Sequence, residues 1–107
     1  MIGRRRALVA GTVAAAAAHG GATWAVLQYA IGLSQLGMDC YLVERLVQPT
    51  AEIGDRFSVL LSRFDLRGEI VDDTHEFRDF DLVMNLSGAL PAESIAAIPV
   101  RVYVDLP

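Results

Sequence analysis

Lysine is missing from this 107-residue chain, and cysteine occurs once. Each shortage removes a class of function. A Walker-type phosphate loop ends in a lysine, so it cannot be completed here. All nine basic residues are arginine, set against thirteen acids, and three of them are together at Arg4–Arg6. The rest of the chain is therefore clearly acidic, and no nucleic-acid footprint is present. A lone Cys40 leaves neither a disulfide framework nor a CxxC metal pair, and the simplest setting for it is the reducing cytoplasm. The longest small-residue apolar run, Ala7–Ala18, has twelve residues where a bilayer needs about twenty, so no integral membrane segment is expected. Preceded by three arginines, that run imitates a secretory or twin-arginine signal. Its shortness, and the helical periodicity that follows it, favour a folded element.

What the chain does have is apolar mass. Hydrophobic residues make up 53% of it, and the mean hydropathy is +0.38. Such values fit a parallel sheet covered on both faces, whose strands read as unbroken apolar runs. The length suits one domain with a single core.

The organising stretch is ALVAGTVAAAAAHGGATWAVLQYAIGLSQLGMDCYLVE. It reads as a strand (Ala7–Gly11), a small-residue loop ending in His19-Gly20-Gly21, a helix over about 22–36, a stop at Gly37 and a second strand (Cys40–Glu44). Such a βαβ unit has a right-handed crossover and parallel strands. In the helix Trp24, Leu27, Ile31 and Leu36 are expected on one face, widened by Val26, Tyr29, Ala30 and Leu33 until nearly the whole helix is buried. Gln48-Pro49-Thr50 breaks the chain, and Thr50 with Glu52 then opens a second helix. Its apolar positions Ile53, Phe57, Leu60, Leu61 and Phe64 are the cleanest amphipathic signal in the sequence. A short strand follows around Glu69–Val71, then a polar connection (72–79), a strand at Asp81–Leu86, and a short helix between Pro91 and Pro99. The strand Val100–Asp105 comes last, with the alternation of a sheet edge. The predicted fold class is α/β, an open doubly wound parallel sheet of about five strands in the order 3-2-1-4-5.

That order has a functional consequence. The chain reverses direction between the first and fourth strands, so the loops Thr12–Gly21 and Leu86–Leu90 flank one crevice at the carboxyl ends, where such sheets bind ligands. Gly20 and Gly21 let the backbone approach a ligand, and the positive end of the helix dipole favours an anionic or polar one. Together with Thr23 near the helix start they form one half of the candidate ligand site. Asn85, Ser87 and Gly88 form the other, offering amide, hydroxyl and N–H groups to sugar hydroxyls or a phosphate. A plain turn and ordinary helix capping are the bland readings of the same residues. His19, at the mouth of the crevice, is the candidate general base, with a solvated loop histidine as its alternative. The dinucleotide pattern G-x-G-x-x-G is absent. Glu44 imitates the acid that binds ribose in that pattern, but reads as a structural or solvated strand-end acid. Asp72-Asp73-Thr74-His75-Glu76 has metal-site composition without metal-site spacing, so no metal is expected. Trp24 is expected in the core rather than as a sugar-stacking platform.

The run HGGATWAVLQYAIGLSQLGMDCYLVE, with NLSG and RVYVDL further on, resembles the N-terminal part of bacterial glycosyltransferases of the two-Rossmann-domain (GT-B) type. In that family a Gly-Gly-x-Thr-Trp segment opens the first helix and a Leu-Gly-x-x-x-Tyr-Leu-Val-Glu segment enters the second strand. The resemblance implies that residues 1–107 are a Rossmann-like acceptor-side domain of a longer two-domain enzyme. Its reaction would move a sugar from a nucleotide-sugar donor to an acceptor hydroxyl, with no bound metal or other cofactor. Many inverting members keep a histidine where His19 stands. The family binds most of the donor in a second domain, so this chain alone is expected to be inactive, and the surface left bare would allow self-association. Two other classes stay open: a nucleotide- or dinucleotide-binding domain of an oxidoreductase, and a non-enzymatic interaction module.

Overall fold

The computed structural model describes residues 4–15, 20–72 and 74–105. Five parallel strands form one open sheet: β1 (Arg6–Ala10), β2 (Asp39–Arg45), β3 (Arg67–Val71), β4 (Leu82–Leu86) and β5 (Val100–Val104). Their order is β3-β2-β1-β4-β5, as the alternation of apolar runs and helices predicts. Hydrophobicity explains why β1 is central. Ala7, Leu8, Val9 and Ala10 are all wholly buried, so the first four residues of the run that imitates a signal segment lie in the middle of the sheet.

Both crossover helices, α1 (Gly20–Gln35) and α2 (Ala51–Arg63), lie on one face. There Val26, Leu27 and Ala30 of α1 and Phe57 of α2 pack on Val9, Leu42 and Leu86. The opposite face is covered by the polar connection and by a 3-10 turn at Ala92–Ile95. Phe77, Leu90, Ile95 and Ile98 close over Leu8, Val43 and Val83.

Local chemistry sets the ends of the elements. Thr50 caps α2 by accepting from the Ile53 N–H at 3.2 Å. Gly37 ends α1 at φ 91°, and the Met38 N–H then reaches the Leu33 carbonyl, as in a Schellman stop. Helix α1 starts two residues earlier than its sequence pattern suggests. Its buried face is narrower than expected: Val26, Leu27 and Ala30 are buried, but Trp24 is 48% and Leu36 80% exposed. Trp24 is therefore not a core residue. Its ring lies against Phe64, with centroids 5.8 Å apart, bridging α1 to the end of α2.

Among the described residues no helix is long and apolar enough to cross a membrane.

Candidate functional site

The sheet order puts β1 beside β4, so the segments leaving their carboxyl ends are neighbours. This is the switch point from which the chain winds outward in both directions. Each segment is shaped by a buried polar side chain.

After β1 the chain makes one more ladder contact, from the Gly11 N–H to the Val43 carbonyl, and then turns. Gly11 is confined by packing. A Cβ there would sit 2.6 Å from a methyl of Val26, so β1 and α1 meet at this point without room for a side chain. Beyond Thr12, three successive N–H groups converge on one carboxylate. Val13 and Ala14 donate to Glu44 Oε1 at 3.0 and 2.8 Å, and Ala15 donates to Oε2 at 2.9 Å. Glu44 is wholly buried at the end of β2. Successive N–H groups around an anion form the kind of concavity that elsewhere holds phosphate. Here the anion belongs to the protein.

Two further side chains tie the same loop down from above. Thr23, inside α1, donates to the Val13 carbonyl at 3.0 Å, and Arg56, on α2, donates to the Ala14 carbonyl at 2.8 Å while holding Glu52 at 3.0 Å. Strand β2, α1 and α2 thus all grip residues 13–15. Thr23 lies one turn inside the helix rather than at its cap, with its hydroxyl bonded to the loop.

The α1 amino end, at Gly20 and Gly21, differs from that of α2. No acidic side chain is in its first turn, whereas α2 has Glu52 there and the Thr50 cap. The dipole at the start of α1 is left without a carboxylate of its own in that turn, a condition that suits an anionic ligand. His19 and residues 16–18 lie outside the described residues.

Asn85 governs the segment after β4. It is 1% exposed, and its amide makes a two-way clamp: Nδ2 donates to the Leu90 carbonyl, and Oδ1 accepts from the Leu90 N–H, both at 3.0 Å. Its amide serves the loop. Inside the clamp Ser87 and Gly88 have φ of 53° and 66°, and the Ala89 N–H bonds back to the Leu86 carbonyl at 3.2 Å. Two consecutive left-handed residues closed by such a bond make a type I′ turn. Ser87 and Gly88 form its exposed tip.

The structure therefore brings the two halves of the expected site to one end of the sheet and divides their roles. Ser87 and Gly88 are the exposed turn after β4 and Gly20 and Gly21 begin α1, while Thr23 and Asn85 brace the loops. Glu44 is structural, one of the two roles its sequence position suggested, but sequence reasoning missed its bonds to the loop, and Arg56 as the loop's second tie. One signal was available: an acid inside the strand run Cys-Tyr-Leu-Val-Glu would be buried, and a buried carboxylate must be bonded.

Elsewhere, Asp72 accepts from the Thr74 hydroxyl and N–H at 2.8 and 2.9 Å, which holds its carboxyl below the usual range. Among the described residues no group of three or more His, Cys, Asp or Glu could hold a metal ion. Near residues 75–80 a pocket of about 320 Å³ is lined by Arg6, Tyr41, Glu69 and His75 among others. Its polar groups are engaged with one another: His75 lies 3.9 Å from Glu69, and Arg6 donates to the Asp79 carbonyl.

Fold and site together define an open parallel α/β domain of Rossmann-like topology with a braced switch-point mouth. No family model, curated protein or solved structure matches the chain.

Proposed function

We propose that the chain is the acceptor-side domain of a glycosyltransferase, with the switch-point mouth as the place where a nucleotide-sugar donor and an acceptor hydroxyl meet. The observation that carries this reading is the β1–α1 loop. Three elements hold it, and it leads into a helix start whose first turn bears no acid, as a site for a polar or anionic ligand requires. The chemical name comes from the resemblance of the HGGATW and LGMDCYLVE segments, which contribute the helix start and Glu44. In this reading His19 is the general base on the acceptor hydroxyl, and the Gly20, Gly21 and Gly88 N–H groups bind sugar or phosphate oxygens, with the Ser87 side chain beside them on the turn. Thr23 and Asn85 shape the mouth from behind. A second domain supplies most of the donor contacts, and transfer needs both domains, in the cytoplasm where nucleotide sugars are made.

The oxidoreductase alternative loses ground at Glu44. Both carboxylate oxygens that would have to accept from a ribose are taken by the loop's own N–H groups.

The test is a titration of the isotope-labelled chain, followed by amide resonances, with uridine and thymidine diphosphate sugars, simple glycosides and NADH. Shifts at Thr12–Ala15, Gly20–Gly21 and Ser87–Gly88 with sugar ligands are expected. Saturable NADH binding at those amides, or sugar-induced shifts confined to other parts of the chain, would overturn the reading.

A further inference from the structure

The two edges of the sheet are not alike. At one, β3 carries Arg67 and Glu69, and Arg67 is ion-paired with Asp39 of β2. Charged edges of this kind resist pairing with other strands. At the other edge, four of the five residues of β5 (VRVYV) are apolar. Val100 is 52% and Tyr103 60% exposed. Strand β5 pairs with β4 on one side, and among the described residues no strand pairs with it on the other.

Direction can be assigned to its main chain. The Val104 carbonyl accepts from Ser87 N–H at 2.7 Å, on the β4 side. Alternation along a strand then turns the N–H and C=O groups of Arg101, Tyr103 and Asp105 outward, away from the sheet. Their side chains share the face of Val83 and Asn85, and all three residues are exposed.

We propose that this edge binds a second copy of the chain, the two β5 strands running antiparallel about a two-fold axis through Tyr103. In that register Arg101 of each copy faces Asp105 of the other, Tyr103 faces Tyr103, and Val102 faces Val104. Opposite charges, an aromatic pair and β-branched pairs are the cross-strand combinations that stabilise a sheet. All three outward residues of each copy also exchange main-chain hydrogen bonds. The neighbouring registers are poorer. Centring on Val102 sets Asp105 against Pro99, which has no N–H to donate. Centring on Arg101 sets like charges face to face. A self-complementary strand is what an isologous two-fold contact needs, and the product is one continuous ten-stranded sheet, twice the five strands of one copy.

The experiment is sedimentation equilibrium of the full chain from about 10 μM to about 1 mM, because so small a contact belongs to the transient class. A monomer–dimer equilibrium is expected. Arg101→Glu, and separately Asp105→Arg, place like charges opposite each other twice per dimer and should weaken association about tenfold or more. The double variant Arg101→Glu/Asp105→Arg restores the pairs and should return the dissociation constant to near its starting value. Both positions are exposed, and far-UV circular dichroism checks that each variant is folded. A wild-type chain monomeric throughout the range, open-ended oligomers in place of a dimer, or single charge reversals that leave association unchanged would each overturn the proposal.

Discussion

Removing the Glu44 carboxylate tests the central claim about the loop. In Glu44→Ala the Val13 and Ala14 N–H groups lose their partner in a buried place, at about 1–3 kcal/mol each. The Ala15 N–H is only partly buried and recovers much of its bond from water. Against these losses stands the relief of no longer burying a carboxylate. The net expectation is a destabilisation of about 3 kcal/mol, a large share of the roughly 5–15 kcal/mol that holds a domain of this size. In a urea titration with a slope of about 1–2 kcal/mol per molar, the midpoint falls by about 2 M. Glu44→Gln separates hydrogen bonding from burial. Its carbonyl can still accept from Val13 and Ala14, but its NH₂ group then meets the Ala15 N–H, donor against donor. The cost should be about 1–2 kcal/mol, between wild type and Ala. A loss below about 1 kcal/mol for Glu44→Ala, or equal losses for both variants, would refute the view that the carboxylate is the loop's anchor.

Two other perturbations follow from packing and burial. Gly68→Ala puts a Cβ 2.0 Å from the Leu42 carbonyl, so β2 and β3 must part locally; a loss of about 2–3 kcal/mol in the same titration is expected, and a neutral result would show that the edge strand is free to shift. Burial pushes the Cys40 thiol above its ordinary value, opposed in part by its hydrogen bond with Ser34. Because the folded value is the higher one, the stability this group contributes is complete below the unfolded value near pH 8.5 and is lost as pH rises through the folded value. Wild type should therefore lose stability relative to Cys40→Ala as pH rises above about 8.5, and parallel curves for the two proteins would count against the burial.

Much of this molecule was legible in its residues. The unbroken apolar runs at 7–10 and 40–43 require strands with both faces covered, and the βαβ spacing makes them parallel. Thr50, Gly37 and the stripe Ile53–Phe57–Leu60–Leu61–Phe64 set α2 and the stop of α1 by local chemistry alone. Polar composition also sufficed to make residues 72–79 a connection.

The rest was decided by contacts between residues far apart in the chain. In α1 almost every position is apolar, so periodicity could not say which stripe faces the sheet; packing against β1 and β2 buried Val26 and Ala30 and left Trp24 and Leu36 outside. Glu44 lies 30 residues from Ala14, and only the β1–β2 pairing brings its carboxylate under the loop. Asn85 had polar chemistry suited to a ligand, and the fold turned it inward onto Leu90. Sequence determines local geometry wherever a propensity is strong and unopposed. Where a polar side chain has several partners within reach, burial selects among them, because inside the core an unpaired polar group costs more than any local preference gains.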